Sequence, residues 1–386
     1  MAQSKVFSLE GKGLKLNTAE DIQPFLDEIT AETTEIRLSG NTFGVEAISA
    51  LADALSITKS LKTAELSDIF TGRLLGEIPL ALKSLCDAFL KQPLEKLNLS
   101  DNAFGPAGAN PLVEYLENAV HLKVLMLNNN GLGPQGGSTI AKALVSLAEK
   151  LNSEQIDSGL EVIVIGRNRL ENAAAKELGK AIKAHSKTLQ QILLPQNGIR
   201  PEGVEDLSEA LATCKNLEIL DLNDNTFTQV GSLAFSKAID KNEWPKLKNL
   251  NIGDCLLGSV GSKAVWKSLS SANFKELNSI NYQYNEMDED GALIAAQALL
   301  RFESLNSLSL NGNSFNPDGS AAEAIKNNLD RMGKLDILDE WDDMDYEEDS
   351  EEESEEESGE SECEETVLKE GTSMDALASA VNNLSV

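Results

Sequence analysis

The chain has 386 residues, with 33 Lys and Arg against 63 Asp and Glu, which gives a formal net charge of −30 at pH 7. So large an excess of negative charge repels phosphates, which argues against nucleic acid as a direct ligand. No apolar run reaches the roughly 18 residues of a membrane-spanning helix, and no signal-like apolar stretch follows Met1. The four cysteines are far apart without a CxxC pair. We therefore expect reduced thiols in an intracellular protein that binds no membrane.

A short pattern, LxxLxLxxNxL, returns about ten times along the chain. One clear copy consists of Leu217, Leu220, Leu222, Asn225 and Phe227. Most copies are 28 to 30 residues apart, and a fixed period of this length is the signature of a solenoid. The chain is therefore interpreted as stacked repeats and not as a single globule.

Each repeat is predicted to contain a strand, a turn and a helix. The x-L-x-L alternation predicts a short strand with one face inward, and the asparagine amide can satisfy main-chain groups where the chain turns. Helical spacing follows each turn, as in residues 203–212 and 291–300. The turn position is held by Asn41, Ile69, Asn102, Asn130, Asn168, Asn197, Asn225, Cys255, Asn285 and Asn313.

The predicted fold is an α/β leucine-rich-repeat horseshoe solenoid. We expect about eleven ribonuclease-inhibitor-like repeats with an inner parallel sheet and outer helices. Residues 7–14 would form a degenerate first unit, and residues 151–158 a polar insertion on the convex side. We expect the leucine-rich stretch from Leu74 to Leu90 to be repeat core.

Three domains follow from the change in composition. The repeat domain is assigned to residues 1–338. Residues 339–366 contain 18 Asp and Glu and neither Lys nor Arg, and such a block is expected to be disordered. Residues 367–386 form a short C-terminal segment that is compatible with one helix.

Candidate functional residues are those just after the inner strands, where a side chain is free from packing. Asn129 precedes the structural Asn130 and is expected to face solvent, and Arg167 and Arg169 flank Asn168. The repeat beginning at Leu61 departs from the pattern. Arg73 follows a glycine in its loop, so we expect a displayed guanidinium, with a salt bridge to Asp68 or Asp101 on adjacent turns as the alternative. The predicted rim residues are Asp68, Arg73, Asp101, Asn129, Arg167, Arg169, Gln196 and Asp224.

A polar, charged rim is more typical of a protein-docking surface than of a small-molecule pocket. The two histidines, His121 and His185, are isolated in the sequence. No nucleophile or metal-binding motif is recognisable. The chain is therefore predicted to have no active site of its own.

Several strings of residues are similar to those of one protein family, the Ran GTPase-activating proteins. They span nearly the whole repeat region, and an acidic tail follows as in that family. The strings are LEGKGLKLNTAED (9–21), SDIFTGR (67–73), LSDNAFGP (99–106), NNGLGP (129–134), GRNRLEN (166–172), PQNGIRPEG (195–203) and DNTFT (224–228).

The resemblance implies that the partner is the GTPase Ran in its GTP form, together with a Ran-binding protein. It implies that Asn129 helps to position Ran's own glutamine and water without an arginine finger. Arg73 matches the family's functionally important arginine, which we expect to hold the interface or its own loop. The chain would need no cofactor, since GTP and Mg²⁺ belong to Ran.

The resemblance also predicts the oligomeric state, the domain layout and the cellular location. It implies a monomer of the short fungal-like layout, located in the cytoplasm or at the periphery of the nuclear envelope, where it would support nucleocytoplasmic transport. Two alternatives remain open. An acidic leucine-rich-repeat binding protein of the histone-chaperone type fits the tail but has fewer repeats. A ribonuclease-inhibitor-like protein fits the repeat length but would be rich in cysteine.

Overall fold

The computed structural model describes residues 5–242 and 244–346. Within them, one 11-stranded parallel sheet follows the order of the chain, and a second parallel sheet has two strands. The main sheet consists of β1 (Lys5–Ser8), β3 (Thr33–Arg37), β5 (Thr63–Glu65), β6 (Lys96–Asn98), β7 (Val124–Met126), β8 (Val162–Val164), β9 (Gln191–Leu193), β10 (Ile219–Asp221), β11 (Asn249–Asn251), β12 (Ser279–Asn281) and β13 (Ser307–Ser309). The small sheet pairs β2 (Lys15–Leu16) with β4 (Thr42–Phe43).

A helix follows most strands and packs against the helices of the neighbouring repeats. The helices are α1 (Ala19–Leu26), α2 (Val45–Leu55), α3 (Ile78–Phe89), α4 (Asn110–Asn118), α5 (Gly133–Ser153), α6 (Glu171–Ala184), α7 (Pro201–Leu211), α8 (Thr228–Asn242), α9 (Gly258–Ser271), α10 (Glu289–Leu299) and α11 (Ser320–Arg331). The predicted leucine-rich-repeat solenoid, with a parallel sheet and a layer of helices, is confirmed.

The register of the sheet places equivalent leucines on top of one another. Leu97 of β6 pairs with Leu125 of β7, which pairs with Ile163 of β8. All three side chains are buried. Their strand neighbours on either side remain partly exposed, because successive side chains of a strand point to opposite faces. One apolar residue per strand therefore stacks into a core that runs the length of the repeats.

Buried asparagines connect consecutive repeats through a ladder of hydrogen bonds. Asn130 N–H donates to Asn168 Oδ1 (3.0 Å), and Asn168 N–H donates to Asn197 Oδ1 (2.9 Å). The Asn168 amide in turn donates to the carbonyl oxygens of Leu127 (2.9 Å) and Gly166 (2.8 Å). Each asparagine thus satisfies main-chain groups of two turns that no strand or helix satisfies. We call the ten turn positions identified from the sequence the asparagine ladder.

Two ladder positions lack the side-chain acceptor. Ile69 still donates its N–H to Asn102 Oδ1 (2.8 Å) but has no oxygen to offer the preceding repeat. Cys255 keeps the donor function, because its thiol donates to Leu222 O (3.3 Å). The Asn225 main-chain N–H donates to the Cys255 sulfur, but a thiol is a weak acceptor, so this bond is weaker than the bonds to amide oxygens elsewhere in the ladder. Burial raises the pKa of the Cys255 thiol, which keeps it protonated as a donor.

Of the expected insertion at residues 151–158, the first three residues continue the preceding helix and the remaining five form the turn and loop that follow it. Helix α5 has 21 residues and ends at Ser153. Leu147, Ala148 and Leu151 are buried, so their apolar spacing extends the packed face by further turns. His185 fixes this region, because its Nε2 contacts Leu144 O (2.9 Å) and its Nδ1 accepts from Leu160 N–H (3.4 Å). Burial lowers the pKa of His185, which is consistent with this neutral, structural role.

The C-terminal end of the sheet is covered by a segment that the sequence assigned to the acidic tail. Asp339 accepts hydrogen bonds from the N–H groups of Leu310 (2.9 Å) and Asn311 (3.0 Å) and from Gln283 Nε2 (3.0 Å). Trp341 packs edge-on against Phe315, with ring centroids 5.2 Å apart. Residues 339–345 therefore contact the last repeat and satisfy donors at the edge of the sheet. The remainder of the predicted tail (347–366) and the segment 367–386 lie outside the described residues.

The predicted first unit is confirmed, since β1 pairs with β3 and the side chains of Phe7 and Leu9 are buried. Across the described ranges, none of the helices combines the length and the apolar character that crossing a membrane requires.

Replacing a ladder asparagine is expected to destabilise the solenoid strongly. In an Asn168→Ala variant, the buried N–H groups of Asn130 and Leu132 lose their acceptor, and the carbonyls of Leu127 and Gly166 each lose one of two donors. An unsatisfied buried group costs about 1–3 kcal/mol, so we expect a loss of at least about 2 kcal/mol in the free energy of unfolding. Urea unfolding followed by circular dichroism measures it. The control is Asn118→Ala, at the exposed end of α4, which should change the value by less than about 0.5 kcal/mol. Equal effects of the two changes would contradict the role of the ladder.

Candidate functional site

One backbone conformation recurs on the residue before every ladder position. In each repeat this residue has φ between +49° and +74°, in the left-handed region. The turn requires it, because the chain must reverse after the strand while the next side chain points inward. We call this set the rim column. It consists of Gly40, Asp68, Asp101, Asn129, Arg167, Gln196, Asp224, Asp254, Tyr284 and Gly312.

Main-chain hydrogen bonds make the rim column a continuous row. Asp101 N–H donates to Asn128 O (2.8 Å), Asn129 N–H to Gly166 O (2.9 Å) and Arg167 N–H to Pro195 O (2.8 Å). Neighbouring members are therefore spaced as adjacent strands are, about 5 Å apart. Six of the eight predicted rim residues lie in this row, and Arg169 follows Asn168 directly at the same turn.

Asn129 is exposed, as predicted, and its side chain is oriented by its neighbour in the row. Its Nδ2 donates to Asp101 Oδ1 at 2.9 Å. Its backbone is fixed by the left-handed turn, with φ at 53°. The bond to Asp101 leaves the amide oxygen and one amide hydrogen of Asn129 facing solvent. A fixed amide with a free acceptor and a free donor is suited to orienting a polar group of a partner.

Arg167 and Arg169 present guanidinium groups that the fold does not use. Both are exposed, and neither side chain forms a hydrogen bond or ion pair with any residue of 5–242 or 244–346. The opposite edge of the sheet, just before the strands, is different. There, charges pair between repeats, as in Lys62–Glu95 (2.7 Å), Lys123–Glu161 (3.2 Å) and Lys248–Glu218 (2.7 Å). At the rim, by contrast, Arg167 and Arg169 are left without an ion pair among the described residues.

The sequence-based expectation of a displayed Arg73 is wrong, and so is the alternative of a salt bridge to an aspartate. The guanidinium donates to Thr42 Oγ1 (2.9 Å) and Thr42 O (3.0 Å), to Asn17 Oδ1 (2.8 Å) and to Leu16 O (3.3 Å). These acceptors lie in or beside the small sheet of β2 and β4. Arg73 therefore connects the loop of the third repeat to the two repeats before it, and four of its five N–H donors are occupied.

Sequence reasoning missed four members of the rim column: the glycines Gly40 and Gly312, and two with polar side chains, Asp254 and Tyr284. Because Asp254 and Tyr284 directly precede the turn positions Cys255 and Asn285, the repeat pattern alone would have assigned them to the rim column. The Tyr284 ring covers Gly312, where an added Cβ would lie 2.2 Å from a ring carbon. The Tyr284 hydroxyl donates to Asp343 Oδ2 (2.9 Å), and this bond raises the pKa of the tyrosine. The far end of the row is thus in contact with the C-terminal segment.

The chemistry of the rim gives no support for a resident metal. Within the two described ranges, His, Cys, Asp and Glu form no group of three or more that could hold a metal ion. What the arrangement offers is a row of polar side chains on a rigid backbone. The fold and this row define the class: a leucine-rich-repeat scaffold with one rim of exposed polar side chains.

Comparison with known proteins identifies the family. A leucine-rich-repeat family model matches residues 91–113, 118–141 and 213–236. Ran GTPase-activating protein 1 of Saccharomyces cerevisiae is 40% identical over 342 residues, which cover 86% of this chain and 83% of that protein. The Ran GTPase-activating protein of Drosophila melanogaster is 36% identical, with 90% and 61% covered. Ran GTPase-activating protein 1 of Xenopus laevis is 43% identical, with 50% and 34% covered. The chain belongs to the Ran GTPase-activating protein family.

Replacing Arg167 by glycine is expected to stabilise the fold. The left-handed conformation costs a residue other than glycine about 1–2 kcal/mol, and the Arg167 side chain has no described partner that would offset this cost. Arg167→Gly should therefore raise the free energy of unfolding by about 0.5–1 kcal/mol. Urea unfolding beside Gly131→Ala, which forces a Cβ onto a glycine with φ of 66°, should show changes of opposite sign. A less stable Arg167→Gly protein would mean that the arginine supports the fold.

Proposed function

We propose that this chain accelerates GTP hydrolysis by Ran by docking its rim column on Ran in the GTP-bound form. The observation that carries the proposal is the placement of Asn129, an exposed amide held by Asp101 on a row of otherwise available polar groups. The 40% identity to the yeast activator over most of both chains supports Ran as the partner.

The proposed mechanism is positioning. The free oxygen of the Asn129 amide accepts a hydrogen bond from the glutamine amide of Ran that orients the attacking water. Fixing that side chain and its water lowers the activation barrier for hydrolysis. The entropy cost of ordering them is met when the complex forms and not in the chemical step. No new charge is needed at the phosphate. GTP and Mg²⁺ remain with Ran, and this chain contributes no cofactor.

Arg73 is assigned a supporting role in this mechanism. An arginine finger must leave its resting contacts to reach a phosphate, whereas the Arg73 guanidinium has four acceptors in the first two repeats. We propose that it holds the loop next to Asp68 in the shape that Ran recognises. Arg167, Arg169, Gln196 and Asp224 would bind the surface of Ran.

The wider setting follows from this activity. The chain would act as a monomer, with a Ran-binding protein on the same Ran molecule. Its place would be the cytoplasm, including the periphery of the nuclear envelope. There it would keep Ran in the GDP form and so sustain directional transport between nucleus and cytoplasm.

Removing the Asn129 amide is expected to abolish most of the acceleration without weakening the complex. In single-turnover hydrolysis with Ran saturated by activator, Asn129→Ala should lower the maximal rate by about 100-fold, since a misplaced reacting group costs that order of magnitude. The Kd for Ran bound to a non-hydrolysable GTP analogue should change by less than about threefold.

Two further variants make this experiment decisive. Asp101→Ala should give a smaller loss of rate, because Asn129 keeps its amide but loses its orientation. Asn118→Ala should behave as the wild type. If Arg169→Ala lowers the saturated rate as much as Asn129→Ala does, an arginine finger operates and the positioning mechanism fails. A folded wild-type chain that gives no acceleration would contradict the activity itself and favour an acidic binding protein.

Replacing Arg73 is expected to act through the loop. Arg73→Ala should speed amide hydrogen exchange in residues 67–77 and lower both affinity and rate, while exchange in β9 and β10 stays unchanged. Arg73→Lys should not restore the wild-type values, since one ammonium cannot reach acceptors in three residues. Hydrogen exchange read by mass spectrometry, beside the GTPase assay, tests this. Loss of rate with unchanged exchange would show that Arg73 acts on the nucleotide directly.

A further inference from the structure

Two leucines beside Arg73 are turned toward solvent. Leu74 is 71% exposed and Leu75 is 67% exposed, which makes them the most exposed large apolar residues of the described ranges. Leu80, in the first turn of α3, is 60% exposed. The expectation that this stretch is repeat core is therefore wrong for these three residues and for Leu90, which is also exposed. We call Leu74 and Leu75 the leucine pair.

The core is filled without the leucine pair. The buried face of α3 consists of residues at helical spacing, among them Ile78, Leu82 and Leu85. The preceding loop already contributes Phe70, which is 3% exposed. Since helix α3 begins only at Ile78, the two leucines lie on the connection that leads to it and have no interior position to occupy.

The connection is nevertheless held by hydrogen bonds, so the pair is presented in a fixed place. Arg73 N–H donates to Phe70 O (3.0 Å) and Glu77 N–H to Leu74 O (2.9 Å). The Arg73 guanidinium ties the same loop to Leu16, Asn17 and Thr42. An apolar patch kept exposed by an ordered backbone is typical of a surface that a protein partner covers.

The leucine pair is continuous with the rim column. Thr71, in the same loop, donates its hydroxyl to Asp68. Asp68 N–H donates to Ser100 O (3.1 Å), and Asp101 then contacts Asn129. The pair therefore flanks the row at its N-terminal side, two repeats from Asn129, which corresponds to about 10 Å along the sheet plus the reach of the loop.

We infer that the leucine pair is an apolar anchor of the complex with Ran, seated against an apolar patch on Ran beside the surface that the rim column contacts. This inference rests on the proposed function. Two acidic side chains belong to the same loop as the pair, since Glu77 accepts from Leu74 N–H (3.4 Å) and Asp68 accepts from Thr71. The matching patch on Ran would therefore carry basic side chains at its border. The anchor contributes to affinity and leaves the positioning of Asn129 unaffected, because it contacts neither Asp101 nor Asn129.

The test compares two double variants of the full chain. Leu74→Ser/Leu75→Ser removes the anchor. Val230→Ser/Leu300→Ser removes two apolar side chains of comparable exposure, 51% and 48%, on and next to outer helices α8 and α10. For each protein, the Kd for Ran with a non-hydrolysable GTP analogue, the saturated rate of GTP hydrolysis and the thermal unfolding midpoint are measured.

Loss of the anchor should raise the Kd at least about tenfold, which corresponds to about 1.4 kcal/mol. The saturated rate should stay within twofold, and the control pair should match the wild type in all three measurements. A Kd unchanged by the anchor variant, with normal wild-type acceleration, overturns this inference alone. Wild-type protein that neither binds nor activates Ran overturns the proposed function and the anchor with it.

A second copy of this chain is the other occupant that the test can detect. Sedimentation equilibrium of the wild type and the anchor variant, each without Ran, measures self-association. A wild-type dimer that the anchor variant abolishes would assign the leucine pair to contact between copies and overturn the inference. A monomer in both cases is the expected result.

Discussion

The structure depends on the buried hydrogen bonds of its asparagine ladder. A turn that follows a three-residue strand leaves main-chain groups without partners, and burying each of them unsatisfied would cost about 1–3 kcal/mol, which is large beside the marginal stability of a folded protein. An asparagine amide can both donate and accept, so one side chain satisfies two successive turns. This requirement fixes the left-handed residue before it, and that residue in turn faces outward. The rim column therefore results from the hydrogen-bonding requirements of the buried turns.

Much of this arrangement could be predicted from the sequence, because the same pattern of leucines and asparagine recurs in each repeat. The spacing of Asn102, Asn130 and Asn168 gave the turns, and the alternating leucines before them gave the strands. From the turns followed the row that contains Asn129. The same logic would have reached Asp254 and Tyr284. Their turns were identified through Cys255 and Asn285, but the exposed residue before each turn position was left out.

What escaped prediction depends on contacts between distant positions. The acceptors of Arg73 lie 31 to 57 residues earlier in the chain, and no local pattern announces them. The leucine pair was missed for a related reason. Composition does not distinguish a leucine that faces the core from one on the connection before α3, since the direction depends on where the helix begins. The contacts of Asp339 could not be predicted because it begins an acidic stretch, which was interpreted as a disordered tail.

The ladder is interrupted at Ile69 and Cys255, where no amide oxygen is present. These interruptions divide the solenoid into three blocks of repeats, although its sheet is continuous. In a linear array, each repeat is stabilised mainly by the two beside it, so a missing amide acceptor marks a weaker junction. Between the two interruptions, five consecutive asparagines from Asn102 to Asn225 are connected without a gap. Asp101, Asn129, Arg167 and Gln196 all belong to this stretch. Under mechanical load or partial melting, the outer repeats on either side would yield first, and the central block would remain as a cooperative unit.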